Sequence, residues 1–302
     1  MLDFRIKTFL CVCQKMNYTQ AAKSLNITQP AVSQHIRYLE DYYQIKAFRY
    51  ANKKLELTPA GRILYERCKT MENDEVALAA ELLSQQSGIH TLSLGVTMTV
   101  GEYAIIAPLA AYQAAHPGIN IRLRFGNTKE LLAQLTAGRI QIALVEGYFP
   151  PQDYFCQPYS TEDYIGVCAR GHVFPHGEPT MFHDLLEERL LLREKGSGTR
   201  EILERNLALH GLRTEDFIHN MEVENMHTII GLLTYDCGIS FLYRRAVEAE
   251  LSSGLLRQIP LKGFAMQHDF TFIWEKDSIY TTYYQQICQE LRAPDSLTSR
   301  RR

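Results

Sequence analysis

Residues 17 to 39 constrain this chain most: they spell two short amphipathic helices joined by a tight turn. Thr19 is placed to cap the first helix, and Ala21, Ala22 and Leu25 supply its inner face. Asn26 allows the tight turn, and Ile27 fills the corner. Thr28 is a good N-cap for the second helix, and Pro30 falls in its first turn, where a missing N–H costs nothing. Val32, Ile36 and Leu39 recur at i, i+4 and i+7 and form one buried stripe. Small Ala22 and Ala31 allow a close crossing. Gln29, Ser33, Gln34 and Arg37 are left on the outer face, donors and acceptors suited to the base edges and phosphates of a DNA major groove. The competing reading is a surface hairpin without a ligand; the agreement of caps, turn and stripe favours a helix-turn-helix.

Charge points the same way. Residues 1–70 hold twelve Lys/Arg and five Asp/Glu, net +7, and the remaining 232 hold twenty and twenty-nine, net −9, which together give −2. A near-neutral total thus hides a basic head on an acidic body, as expected when only one end meets phosphate. Lys53 and Lys54 lie between Tyr50 and the strand-like Leu55-Glu56-Leu57, where a hairpin wing would set them against a DNA backbone.

The chain has 302 residues, 46% of them apolar and 22% charged, which suits two or three cored domains. No apolar run approaches a membrane span, and Met1-Leu2-Asp3-Phe4-Arg5 does not read as a signal peptide, so a cytoplasmic, nucleoid-associated location is expected. Seven cysteines without paired ligand spacing suggest reduced thiols. His172, His176 and His183 come nearest to a metal cluster, but Pro175 interrupts their spacing, and no metal or cofactor is expected.

A first helix is expected over Asp3 to Met16, with Phe4, Phe9, Val12, Cys13 and Met16 inward. Thr58-Pro59 opens a long helix to about Gln86, along which Leu64, Cys68, Met71, Leu78 and Leu82 fit an a/d seam broken by Glu75. Such a seam suits pairing with a second copy; packing on its own domain is the alternative. Ser84 to Gly88 reads as a hinge. Strands are then expected at Thr91–Val96, Ile119–Phe125 and Ile140–Val145, with helices around Gly101–Ala115 and Asn127–Gly138. A second set comprises strands Tyr164–Ala169, Arg189–Arg193, Phe217–Val223 and Gly238–Leu242 with helices Thr199–His210 and Asn225–Tyr235; Asp269–Trp274 and Ser278–Leu291 close the pattern. This alternation predicts two small α/β lobes with parallel-rich sheets. The terminal Ser299-Arg300-Arg301-Arg302 reads as a frayed basic tail.

Ligands of open α/β sheets sit beyond strand carboxyl ends. Here those ends offer Thr97-Met98-Thr99, with Thr99 and Glu102 forming a capping box, then Asn127 and Thr128 with Glu130, and Glu146-Gly147-Tyr148. The segment Arg193 to Arg200 passes through Gly196, Ser197, Gly198 and Thr199 into a helix, with N–H groups, hydroxyls and basic side chains able to hold a carboxylate, sulfate or phosphate. Asn225 and His227 begin another helix that could face the same cleft. Each cap alone is ordinary helix chemistry. No catalytic constellation can be argued, so an enzyme is not expected.

These motifs resemble the LysR-type transcriptional regulators. The resemblance spans Phe4 to about Leu291 and is most specific at Tyr18–Leu25, Thr28–Ser33, Leu57–Gly61, Gly126–Thr128, Val145–Gly147, Gly196–Arg200 and Gly238–Leu242. It implies an N-terminal all-α winged helix-turn-helix (1–58) and a linker helix with hinge (59–88). A C-terminal α/β two-lobed effector domain like periplasmic binding proteins follows (89–302), with lobe I about 89–161 and 266–292 and lobe II about 162–265. It further implies a dimer and tetramer on an interrupted palindrome in promoter DNA, with RNA polymerase as a further candidate partner. A small metabolite between the lobes would reposition the heads; the likeness leans towards anionic or sulfur- and carbon-metabolism signals. By position it assigns Gln29 and Ser33, with Arg37 beside them, to DNA, and Thr97, Thr99, Asn127, Thr128, Ser197 and Thr199 to the effector. The full expected DNA set is Thr28, Gln29, Pro30, Ser33, Gln34, Arg37, Lys53 and Lys54. The full expected effector set adds Met98, Glu146, Gly196 and Asn225. The chain departs from the family at the wing, with Tyr50 where an arginine is usual and Arg49 just before it. Two other readings compete: an α/β small-molecule-binding or enzymatic domain with a DNA tether, and a thiol-regulated module using Cys156, Cys168 or Cys237.

Overall fold

The structure, a computed structural model, describes residues 2–87 and 90–292. The chain forms two compact units, Met1–Ser87 with Lys276–Tyr280, and Gly88–Glu275 with Thr281–Arg302.

In the first unit α1 (Phe4–Lys15), α2 (Tyr18–Leu25) and α3 (Gln29–Tyr43) pack around Phe9, Leu10, Val12, Ala21, Ala22, Val32, Ile36 and Leu39. The α3 stripe is buried as its spacing predicts. Two details of the first helices differ from expectation. Phe4 and Met16 are exposed, and Ile6, Thr8 and Leu10 are buried in their place, because the helix turns the 6–9–10 edge to the core. Asn17, not Thr19, caps α2: its Oδ1 accepts from the Gln20 N–H at 2.9 Å. Asn26 takes the left-handed conformation (φ 54°), and Thr28 Oγ1 caps α3 by accepting from the Ala31 N–H.

The hairpin of β1 (Phe48–Ala51) and β2 (Lys54–Leu57) follows, turning at Asn52 and Lys53, both at positive φ as the favoured two-residue hairpin turn requires. Thr58 then caps α4 (Pro59–Ser87), accepting from the Gly61 N–H at 2.9 Å. A Cβ on Gly61 would lie 2.0 Å from the Ala47 carbonyl oxygen, so only glycine lets α4 start this close. Along α4, Leu64, Tyr65 and Cys68 pack on the head's core, whereas Met71, Val76, Leu78 and Leu82 are exposed. The seam therefore divides: its first part packs at home and its second part faces outward. The expected hinge is helical through Ser87; Gly88 lies outside the described residues, as does the basic tail.

The second unit is built on one nine-stranded sheet. Its elements are β3 (His90–Val96), α5 (Ile106–Ala115), β4 (Ile119–Phe125), α6 (Thr128–Thr136), β5 (Ile142–Val145), β6 (Tyr154–Ala169), β7 (Arg189–Leu192), α7 (Gly198–Leu209), β8 (His219–Glu222), α8 (Met226–Thr234), β9 (Ile239–Tyr243), α9 (Glu248–Ser252), β10 (Leu256–Gln258), β11 (Met266–Glu275) and α10 (Thr281–Glu290). The order is β4-β3-β5-β11-β6-β9-β7-β8, with β10 on β6. The outer trios β4/β3/β5 and β9/β7/β8 are parallel, and give the two lobes their α/β character. The middle is antiparallel, a correction to the parallel-rich expectation. The long β6 joins the lobes: Tyr164 pairs with Met266 of β11 and with Tyr243 of β9. Only its apolar end, 164–169, was legible as strand, because Gln157, Pro158 and Ser160 to Asp163 mask the rest.

Candidate DNA interface and effector cleft

Gln29, Ser33 and Arg37 of α3 line a groove of about 950 Å³ together with Lys53 and Lys54 of the wing. Gln29 Nε2 donates to Ser33 Oγ at 2.9 Å, so the two outward side chains are aligned along one helix edge. Lys46 in the same groove is paired with Glu40 at 2.9 Å, and Arg49 with its cross-strand neighbour Glu56 at 3.2 Å. Arg37, Lys53 and Lys54 carry no ion pair among the described residues, and are exposed. Free cations beside an outward polar helix edge are what a phosphate backbone requires. Thr28, Pro30 and Gln34 are exposed on α3 but do not line the groove; Thr28 is occupied as a cap. Tyr50, exposed at 74%, lines it where the family's arginine would stand. Sequence reasoning missed Asn17 and Lys46, which reach the groove only through the folding of the head.

The second candidate site lies at the carboxyl ends of β3, β4, β5 and β7. Thr97 follows β3 with its N–H donating to the Leu144 carbonyl at 3.3 Å, beside β5 and hence beside Glu146. Thr99 and Thr199 bring their hydroxyl oxygens within 3.4 Å, and Thr199 donates to Glu146 Oε1 at 2.9 Å. All of these residues are buried, as are Thr128, Ser197 and Arg193. Burial pushes the Glu146 carboxyl above the ordinary carboxylate range, opposed by the Thr99 and Thr199 hydroxyls and the Arg193 charge. Tyr243 donates to the Glu146 carbonyl at 3.4 Å and Tyr164 to the Thr199 carbonyl at 2.8 Å, fixing the backbone on either side. Four buried side-chain atoms here have no partner: Thr97 Oγ1, Thr128 Oγ1, Glu146 Oε2 and Arg193 Nη1. Buried polar atoms left so are costly, and their grouping at one set of strand ends marks a place for a polar ligand.

Other expected positions have different work. The Thr99–Glu102 capping box does not form; the turn Val100–Ala104 is of π type, and Thr99 takes helical angles itself, so its hydroxyl turns to the cleft. Asn127 does form its box with Glu130, and lies near Gly196, which has φ +95°. Asn225 is exposed and caps α8 by accepting from the Thr228 N–H at 2.9 Å; no contact joins it to the cluster among the described residues. Met98 is half-buried, and Ser197 stands at the N-cap of α7 without a side-chain cap bond. Arg200, expected as an anion donor, is held by Glu204 at 2.7 Å and Glu222 at 2.6 Å. Arg193, whose segment was legible, is the basic group with a buried N–H to spare.

The thiols do not suit a switch at Cys156 or Cys168. Burial raises both, Cys168 to about 11, which suppresses the reactive thiolate. His172 lies against Asp236 and Glu188, and His176 against Glu187, so these histidines contact separate carboxylates. No helix among the described residues is long and apolar enough to cross a membrane.

A winged helix-turn-helix joined by a long helix to a two-lobed α/β ligand domain defines a ligand-responsive DNA-binding regulator. The chain belongs to the LysR family: residues 5–62 match the bacterial regulatory helix-turn-helix proteins of that family, and residues 85–293 match the LysR substrate binding domain. Among curated relatives it is 28% identical to the HTH-type transcriptional regulator CysL of Bacillus subtilis (strain 168), covering 89% of each chain. It is also 28% identical to the regulator CbbR of Rhodospirillum rubrum, covering 88% of this chain and 87% of that one. Full-length OxyR from Pseudomonas aeruginosa shares the fold with a TM-score of 0.57 at 18% identity, over 97% of this chain and 100% of that one. The regulatory domain of Synechocystis CcmR, solved in complex with 2-PG, matches with a TM-score of 0.59 at 19% identity, over 68% of this chain and 99% of that one. The protein is a transcriptional regulator with an effector-binding domain, not an enzyme.

Proposed function

We propose that this regulator binds an interrupted palindrome in promoter DNA and answers to a small anionic metabolite held between its lobes. The α3 edge of Gln29 and Ser33 reads bases, and Arg37, Lys53 and Lys54 hold phosphates. Thr28, Pro30 and Gln34 complete the α3 surface. The effector is held by Thr97, Thr99, Thr128, Glu146, Ser197 and Thr199, with Met98, Asn127 and Gly196 at the margin. The observation that carries the reading is the cluster of unpartnered buried atoms at the ends of β3, β4, β5 and β7, of which three are donors. The outward part of the α4 seam, Met71, Leu78 and Leu82, with exposed Val76 beside it, supports self-association as a dimer, and a tetramer through further contacts. A cytoplasmic regulator of this kind would meet RNA polymerase at its promoter. The CcmR regulatory domain holding 2-PG supports a ligand role for this part of the chain.

The test is a gel shift on DNA upstream of the protein's own gene, with and without small anions, for the wild type and for Thr99→Ala and Thr199→Ala. Both variants should bind DNA and lose the anion response. An intact response in both would place the effector elsewhere.

A further inference from the structure

We propose that Glu146 makes the cleft selective for a small oxyanion that still carries a proton. This deepens the effector reading above and rests on it.

Thr97, Thr128 and Arg193 each keep a buried polar atom without a partner, and each can donate to an anion's oxygens. Glu146 Oε2 is equally buried and unpartnered, and as a carboxylate oxygen it only accepts. No hydrogen bond among the described residues reaches it, although the Thr99 hydroxyl stands close enough to favour the ionised carboxyl. The Thr199 hydroxyl donates to Oε1, the Tyr243 hydroxyl to the Glu146 carbonyl, and the Tyr164 hydroxyl to the Thr199 carbonyl. The charged groups facing the carboxyl are Arg193, which favours its ionised form, and Glu194, which disfavours it. Arg193 divides its attraction, since its Nε and Nη2 are engaged by Glu194 at 2.8 and 3.0 Å.

A fully deprotonated anion would set oxygen lone pairs against Oε2 in a buried site, where an unpaired charge contact is most costly. An oxyanion with one O–H satisfies both sides: its oxygens accept from the threonines and Arg193, and its hydroxyl donates to Oε2. The shared proton also relieves the repulsion between the two charges. The close approach of Gly147 and Gly198 beside the Glu146 side chain limits the space, so the ion is small. Discrimination by an unpaired acceptor is large because the wrong ligand leaves it buried and unmet.

Two shape-matched pairs of ions test this on the full-length protein by calorimetry near neutral pH: phosphate against sulfate, and hydrogencarbonate against nitrate. The wild type should bind at least one proton-bearing ion roughly tenfold or more tighter than its proton-free twin. Glu146→Gln, which can donate from its amide, should narrow that preference and gain affinity for the proton-free ion. Equal wild-type binding within both pairs would overturn the role of Glu146 while leaving the anion site intact. Sulfate binding with uptake of one proton would assign the donor to Glu146 itself and also overturn the proposal. Binding of no ion by either protein would overturn the anion reading and this inference together. The wild-type comparison needs no variant to fold.

Discussion

Gly147 and Gly198 meet backbone to backbone: a methyl group on Gly198 would lie 2.7 Å from the Gly147 Cα and 2.8 Å from its nitrogen. Gly147 follows β5 and Gly198 opens α7, so this contact brings the two segments together beside the Glu146 side chain. Gly198→Ala should hold the two segments apart. Overpacking of this kind costs roughly 1–3 kcal/mol, which predicts an effector affinity lower by about 5- to 150-fold with DNA binding retained. Calorimetry with the effector ion, beside a gel shift, checks both halves.

Gln29→Ala should remove a base contact and leave Ser33 without the amide that now donates to it at 2.9 Å. The expected cost is about 1–3 kcal/mol at one operator position, with that position's preference relaxed. Binding-site selection from random duplexes reads this directly, and an unchanged preference there would remove Gln29 from base recognition.

Lys53→Ala should act differently. Lys53 is exposed at the wing tip with no ion pair among the described residues, so its loss weakens all sequences alike. The slope of log K against log salt should flatten by about 0.9. A salt titration with specific and random DNA tests this; an unaltered slope takes Lys53 off the phosphates.

Glu146 makes a pH prediction. Its folded-state pKa is raised by burial, so the folded protein binds this proton more tightly than the unfolded chain does. The group therefore costs stability at neutral pH, and the cost disappears as pH falls through the folded pKa. Glu146→Gln should melt above the wild type at alkaline pH without ligand, with the gap closing as pH falls into the ordinary carboxylate range. A gap that stays constant over that fall in pH contradicts a raised carboxyl pKa.

Leu78→Lys tests the outward seam of α4. Leu78 is 45% exposed in the single chain, so the variant should fold normally and sediment as a smaller species. Assembly equal to wild type would move the self-association surface elsewhere.

The head was the more legible half of the molecule because its constraints are local. The positions of Val32, Ile36 and Leu39 fixed which face of α3 is buried, and Thr58-Pro59 fixed the start of α4. Even there, Asn17 and Thr19 are both good caps, and only tertiary packing chose Asn17. The cleft was legible as a set of strand ends but not as a geometry. Thr99 and Glu102 have the spacing of a capping box, yet a π-type turn turned the hydroxyl inward. Arg200 looked free in the sequence and is held by Glu204 and Glu222, 4 and 22 residues away. The contact of Gly147 with Gly198 joins segments about fifty residues apart, and no local pattern announces it. The early part of β6 was hidden because its pairing with β11 is made by backbone groups, beneath a polar and proline-bearing sequence.

The proposed DNA interface puts α3 in the major groove and the wing on the adjoining backbone. A crystal structure of the full chain on its selected duplex tests it most directly. Gln29 should lie within hydrogen-bond reach of a base edge, and Lys53 and Lys54 beside phosphates. A duplex gripped by another surface, with the Gln29–Ser33 edge turned against protein, would contradict it.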